Sequence, residues 1–394
     1  MDRGREDRHG RARGFAGLAG DGGKGRWLLP SLWDLQLAAW GNLSSKDYWV
    51  LEQHMGPDTL AKALLFAGIG HGVVGQGAGN WFQRGMKKNK IMELTGADMM
   101  RSSRIFCGPT QDSPGGTTVG AASVVPALFQ RELDQEAVFI ALSLNGEGKS
   151  FPPLSEEIFK AFAKLSHEHG LPVLVLVSDA REARQAMAWG GQALISDPLA
   201  GASPALFKEM ASKHVAWMPR LAGRLDLQNV NGPEGILAGP LAQDLVSPLL
   251  VEDFKDTKAY CSGAAQVLSA SARNQAGFLA ELAQAKAAGV NLLAISLAGA
   301  APGAFQGLSV HRDLQWMVRG GFSPWDALAA ATITPARWMG RPAGLADGAP
   351  ADLLVLDADP TADIHNTEKI SAVCVDGRWA NRERLKPDLW RRMF

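Results

Sequence analysis

Val138-Phe139-Ile140-Ala141-Leu142 and Val173-Leu174-Val175-Leu176-Val177 decide the fold. Both are unbroken apolar runs of strand length. A strand with one wet face alternates apolar and polar residues, so an unbroken run is buried on both faces, as in a parallel sheet covered by helices. Helix-period segments surround them: Glu156–His169 between the two, then Ala180–Trp189, Pro204–Lys213 and Ala264–Ala288. Further strands are predicted at Leu32–Trp40, Ile69–Gly75, Arg104–Gly108, Ala193–Asp197, Val215–Leu221 and Asn291–Leu297. With Ala137–Asn145 and Pro172–Ser178 these make eight β/α repeats. Eight such repeats point to a closed (β/α)8 TIM-type barrel, with a doubly wound open sheet as the alternative.

Turn chemistry marks the boundaries. Gly170, Gly190 and Gly289 are placed to end helices in the left-handed conformation. Ser323-Pro324 reads as an N-cap followed by proline in the first turn of a helix over Trp325–Ala331. After about residue 340 the pattern changes. Ala351–Asp357 and Ile370–Val375 read as strands, the second closed by an Asp376-Gly377 turn, which predicts a small β appendage.

The 394 residues carry 40 Lys+Arg and 40 Asp+Glu, a net charge of zero that gives no reason to expect nucleic acid as a partner. Apolar residues at 46% and charged residues at 20% are globular values that exclude wholesale disorder. Cys107, Cys261 and Cys374 lie far apart and form no C-x-x-C, so neither a zinc knuckle nor a dithiol motif is available. No apolar run is long enough for a membrane span. As written, the chain is expected in the cytoplasm, because its Arg-rich opening lacks an apolar leader core; a start assigned too late would conceal one.

Several ordered motifs resemble the amidohydrolase superfamily, nearest its imidazolonepropionase-like and prolidase-like branch. They are Gly23-Lys24-Gly25-Arg26-Trp27-Leu28-Leu29-Pro30-Ser31-Leu32-Trp33-Asp34, His311-Arg312-Asp313-Leu314, Gly320-Gly321-Phe322-Ser323-Pro324-Trp325-Asp326-Ala327-Leu328, and Ala330-Ala331-Thr332 with Pro335-Ala336. Gly344-Leu345-Ala346-Asp347-Gly348-Ala349-Pro350-Ala351-Asp352-Leu353 completes the series, and the resemblance spans roughly residues 22–380. It implies a barrel over 23–340 and a partial β-sandwich formed mainly by 341–380, flanked by an irregular segment 1–22 and a tail 381–394.

The resemblance also implies hydrolysis by water on one or two divalent metals, zinc in the family. The ligands would be a His-x-His pair on the first strand, Lys or Glu on the fourth, His on the fifth and sixth, and Asp on the eighth. In this sequence those positions fall on Gln36 and Ala38, Ala141, Leu176, Ser196 and Leu297. Alanine and leucine have no lone pair to give, and amide or hydroxyl oxygens are poor ligands beside imidazole and carboxylate. The expectation is a barrel that binds no metal and uses no cofactor, acting as a binding or structural subunit. Its partner would be another copy, an intact paralogue or a small molecule.

Asp197, Arg220, Ser296 and His311 are the candidate ligand-pocket residues, and Arg220 could hold a carboxylate or simply pair with Asp197. The rival expectation is an active carbon–nitrogen hydrolase with a relocated site, which requires His311, Asp197 and His71 or His214 to converge. Gly75-Gln76-Gly77-Ala78-Gly79 is too tightly spaced for a dinucleotide fingerprint and reads as a loop.

Overall fold

The computed structural model describes residues 25–38, 57–76, 80–91, 95–110, 116–146, 151–226, 232, 234–246, 248, 251, 265–296, 298 and 304–389. β1 (Trp27–Pro30) belongs to a separate sheet taken up below. β2 (Leu32–Ala38), β3 (Ile69–Gln76) and β4 (Asp98–Arg101) form a three-stranded parallel sheet. β5 (Ile105–Cys107), β6 (Gly116–Thr118), β7 (Ile140–Ser143), β8 (Val173–Leu176), β9 (Ala193–Ser196) and β10 (Ala216–Pro219) form a six-stranded sheet in the order β10-β9-β8-β7-β5-β6. A parallel bridge between Arg101 and Ala137 adjoins the two sheets.

Beyond β10, a bridge from Trp217 to Leu292 carries the pairing on to residues 291–296. That segment was expected as an eighth strand, but it makes no ladder among the described residues. It is held by its neighbours instead. Ser296 N–H donates to Asp34 Oδ1 at 3.0 Å, and Ala294 N–H donates to the Ala330 carbonyl at 2.9 Å. The third predicted strand is also displaced. The sequence reading began it at Arg104, whereas pairing starts at Asp98, and Ser102 to Arg104 interrupt it.

Side-chain parity divides the buried apolar residues into two clusters. The outer one includes Ile140, Leu142, Val173, Val175, Leu194, Trp217, Leu292 and Ala294, which meet the covering helices. The inner one includes Trp33, Leu35, Val73, Met100, Phe139, Leu174, Ile195, Met218, Leu293 and Ile295. Successive residues therefore serve opposite faces, and both faces are dry, as the unbroken apolar runs require. Each such side chain, fully buried, contributes roughly 1.5–3 kcal/mol relative to exposure.

The helices begin where capping residues stand. Asp179 accepts from the Glu182 N–H at 2.7 Å at the start of Ala180–Trp189, and Ser323 with Asp326 forms a full capping box on Pro324–Ala330. Gly190 takes φ 105° at a helix end, where a side chain would be strained.

The third sheet is four-stranded and antiparallel, in the order β1-β11-β12-β13, with β11 at Leu353–Leu356, β12 at Ile370–Val375 and β13 at Arg378–Ala380. Asp376 (φ 51°) and Gly377 (φ 74°) make the hairpin turn between the last two. The sequence reading took Trp27–Pro30 as the approach to the first barrel strand; it is a strand of this sheet, registered on Leu353–Leu356. The segment expected as a tail holds a helix, Arg382–Leu389. Its Arg382 donates from Nε to the Phe66 carbonyl at 3.0 Å and lies over the Phe66 ring.

The antiparallel sheet docks at the N-terminal ends of the parallel strands. There His71 stacks on Trp33 with ring centroids 4.1 Å apart and pairs through Nε2 with Asp352 at 3.2 Å. Gly70 permits this approach, since a Cβ there would lie 2.2 Å from Ser31 Oγ. Among the described residues no helix is long and apolar enough to cross a membrane.

Candidate functional site

Among the polar side chains at the C-terminal ends of the parallel strands are Asp197, just past β9, and Arg220, just past β10. Arg224 joins them from the one-turn helix Ala222–Leu225. Arg220 Nη2 lies 2.8 Å from Asp197 Oδ2, Arg224 Nε donates to Asp197 Oδ1 at 2.7 Å, and Arg224 Nη2 also reaches Oδ2. Burial opposes ionisation of Asp197, but the two guanidiniums outweigh it and hold the carboxyl below its usual range. Burial also lowers the pKa of Arg220, partly offset by Asp197. Arg220 Nε is buried and has no partner among the described residues.

A second set of carboxylates fixes the segment 291–296. Asp34 is fully buried, accepts from Ser296 N–H, and leaves Oδ2 without a partner. Burial pushes its pKa up to about 6, against the lowering effect of the Ser296 and Gln36 hydrogen bonds. Asp313 accepts from Ala222 N–H at 2.7 Å and Ile295 N–H at 3.3 Å, and burial raises its pKa well above the ordinary carboxylate value. These groups hold backbone, and their chemistry is structural.

The positions singled out in the sequence divide accordingly. Ala141 is fully buried, and Leu176 is half-buried against the inner cluster. Neither offers a lone pair. Gln36 is buried with Oε1 unpartnered, and Ala38 is registered on Gln76. Leu297 lies outside the described residues. Ser196 faces the outer cluster rather than the inner one, because its Oγ accepts from Trp217 Nε1 at 2.9 Å; Ile195 is the inward residue.

Ser296 serves Asp34 and the Ala298 N–H, not a pocket shared with Arg220. His311 is likewise removed from such a pocket. Its Nε2 donates to the Ala67 carbonyl at 2.9 Å and its Nδ1 lies 3.0 Å from Thr367 Oγ1, beside the N-terminal end of β3. Burial lowers its pKa, against the raising effect of Glu368 and the Ala67 hydrogen bond, and the Thr367 hydroxyl beside Nδ1 donates to the Ile364 carbonyl at 2.8 Å.

Among the described residues the side chains named for a relocated metal site are not brought together. His71 and His311 sit at the N-terminal ends of the strands and Asp197 at the C-terminal ends, while His214 is a left-handed turn residue before β10. Among the described residues no three His, Cys, Asp or Glu side chains group so as to hold a metal ion. At the described positions Gln36, Ala38, Ala141, Leu176 and Ser196 the residue types differ from the ligands the family resemblance implies. A cavity of about 330 Å3 lined by Asp58, Leu65, Asp98, Met99, Asp376 and Trp379 lies on the antiparallel-sheet side, remote from Asp197.

Sequence reasoning missed two residues at the strand ends. Arg224 follows Arg220 by four residues, a spacing that marks one side of a helical turn. Glu182 is buried at 2% exposure and accepts from Gly146 N–H at 2.8 Å and from Ser178 N–H and Oγ at 2.7 Å, tying together the loops after β7 and β8. Nothing in its helical context distinguishes it from an exposed glutamate.

This is an α/β protein of the kind that presents its working side chains at the carboxyl ends of parallel strands. The sequence profile of the amidohydrolase family matches residues 148–380, over half of the chain, and the chain belongs to that family. Solved structures with a similar fold include the following three. A prolidase complexed with N-methylphosphonate-L-proline has a TM-score of 0.67 at 16% identity, covering 91% of this chain and 88% of that one. A Xaa-Pro dipeptidase with methionine bound in its active site has 0.64 at 16%, covering 90% and 87%. The ochratoxinase of A. niger has 0.63 at 16%, covering 89% and 82%. No curated protein sequence matches the chain.

Proposed function

We propose that this amidohydrolase-family protein forms a (β/α)8 barrel that does not assemble the family's metal-dependent hydrolytic centre and serves as a binding or structural subunit. Barrel closure is supported by the inner cluster, to which β2, β3, β4, β8, β9, β10, the run leading into β7 and the segment 291–296 all contribute. The domain division follows: a barrel over 23–340 that gives up Trp27–Pro30 to the antiparallel sheet, and a sandwich completed by 341–380.

The observation that carries the functional reading is the donor set at the strand ends. Ala141 and Leu176 stand where lone pairs are needed, and the carboxylate just past β9, Asp197, is already paired with two arginines. A catalytic zinc requires about three protein ligands and an open water position. The subunit would work beside another copy or a metal-bearing paralogue, and would itself use no zinc.

Metal analysis of the purified protein, after incubation with zinc and with manganese, tests this directly. The expected result is no bound metal after gel filtration and no hydrolysis of dipeptides or N-acyl amino acids. About one tightly held zinc per chain would overturn the reading.

A further inference from the structure

We propose that His71 is a pH-sensitive clasp: as an imidazolium it locks the antiparallel sheet onto the parallel strands, and on losing a proton it releases the β12–β13 turn. The inference goes beyond the subunit reading and does not depend on it.

His71 lies on β3 with only 7% of its side chain exposed. Each ring nitrogen faces a carboxylate: Nε2 is 3.2 Å from Asp352 Oδ2, and Nδ1 is 3.6 Å from Asp98 Oδ2. A neutral imidazole has one N–H and one bare lone pair. Either tautomer therefore turns a lone pair toward a carboxylate oxygen, and only the imidazolium presents an N–H to both. The ring also stacks on Trp33, whose electron-rich face favours a cation. The two carboxylates come from different parts of the fold. Asp98 opens β4, and Asp352 immediately precedes β11. Burial opposes ionisation of Asp352, but the hydrogen bond and charge of His71 outweigh it and hold the carboxyl below its usual range. Nearby stand Arg341, whose Nη1 is 3.6 Å from the same Asp98 oxygen, and the carboxylate of Asp376. The Cys374 thiol stays protonated, its pKa pushed up to about 11 by burial and by Asp352.

Asp352 carries the effect onward. Its Oδ1 accepts from the Asp376 N–H at 2.8 Å, and its carbonyl accepts from the Ser31 N–H at 2.8 Å at the entry to β2. Asp376 stands at φ 51° in the β12–β13 turn, a setting unfavourable to a residue with a side chain and held in place by this bond. With the ring neutral, one of its two carboxylate contacts becomes repulsive and the anchor of the turn is weakened. Asp98 and Asp376 also line the cavity of about 330 Å3, so the same proton governs part of its wall.

The test follows ring and turn together in the full-length protein. Isotope-labelled histidine reports the ring by NMR, and hydrogen exchange read by mass spectrometry, corrected for the chemical exchange rate, reports the turn, from about pH 6 to about pH 9. At the acid end both ring nitrogens of His71 are expected to be protonated. As one proton leaves, protection of the turn around Asp376 should fall at least about tenfold while β8 keeps its own. Asp98→Asn should move both changes to lower pH, since one of the two carboxylates that hold the proton is gone. His71→Asn should show a weakly protected turn at every pH. If His71→Asn does not fold, the wild type and Asp98→Asn decide. A ring whose proton count does not change over this range, a turn whose protection ignores the titration, or an equal loss in β8 overturns the proposal. So does a midpoint unmoved in Asp98→Asn or a well-protected turn in His71→Asn.

Discussion

Replacing Asp34 by asparagine should change how stability depends on pH. Asp34 is buried with a pKa raised from 3.8 to about 6, so between these values the native state holds a proton that the unfolded chain has released. Stability then falls as pH rises through this window and stays low above it. A shift of about two units at about 1.4 kcal/mol each amounts to roughly 3 kcal/mol. Asparagine keeps the carbonyl oxygen that accepts from Ser296 N–H and cannot ionise. Below pH 4 the variant should match the wild type within about 1 kcal/mol, since the unpartnered Oδ2 hydroxyl is exchanged for an equally unpartnered amide. At pH 7.5 it should be more stable by about 2–3 kcal/mol. Urea titrations from pH 4 to 7.5 measure the difference at each pH, and most other groups cancel in the comparison. Parallel curves for the two proteins would show that Asp34 is not held as a costly buried anion.

His71 shows the opposite sign. Burial opposes its charge, but the paired carboxylates of Asp352 and Asp98 raise its pKa above 6.5. The stability it contributes is present below 6.5 and lost as pH rises through the folded value, so the wild-type Tm should fall on the alkaline side while His71→Asn shows no such fall, as calorimetry at several pH values will read. Arg101 and Glu132 form a buried ion pair at 2.6 Å, so Glu132→Ala should destabilise by about 3–5 kcal/mol in chemical denaturation, whereas Arg101→Met with Glu132→Leu should recover most of it. Phe139→Ala opens a hole in the inner cluster against Trp338 and should cost about 3–5 kcal/mol by the same measurement.

What could be read in the sequence was whatever depends on local pattern. The apolar runs at 138–142 and 173–177 became β7 and β8, the helix over Ala180–Trp189 has the expected bounds, and Gly170, Gly190 and Gly289 all take positive φ. Facing was harder. Ser196 differs from Ile195 by one residue, and a strand's period of two turns that step into a change of face. β4, Asp-Met-Met-Arg, lacks β-branched residues and is made a strand by its neighbours. The segment 291–296 looks like β7 in composition, but its partners on one side are the carboxylates of Asp34 and Asp313 and the helix-end carbonyl of Ala330, which no periodicity announces. The cluster at Asp197 was half visible. Arg220 could be seen, whereas Arg224 depended on a one-turn helix that only the folded chain defines.

The pairing of β1 with β11 has a consequence for how the protein is made. Trp27–Pro30 leaves the ribosome more than 300 residues before Leu353–Leu356. At about 5–20 residues per second that strand waits tens of seconds with its edge unsatisfied. The parallel strands must therefore be made before the antiparallel sheet can close. Moving residues 25–31 to the far side of Leu389 by circular permutation should shorten the delay and raise the yield of folded chain.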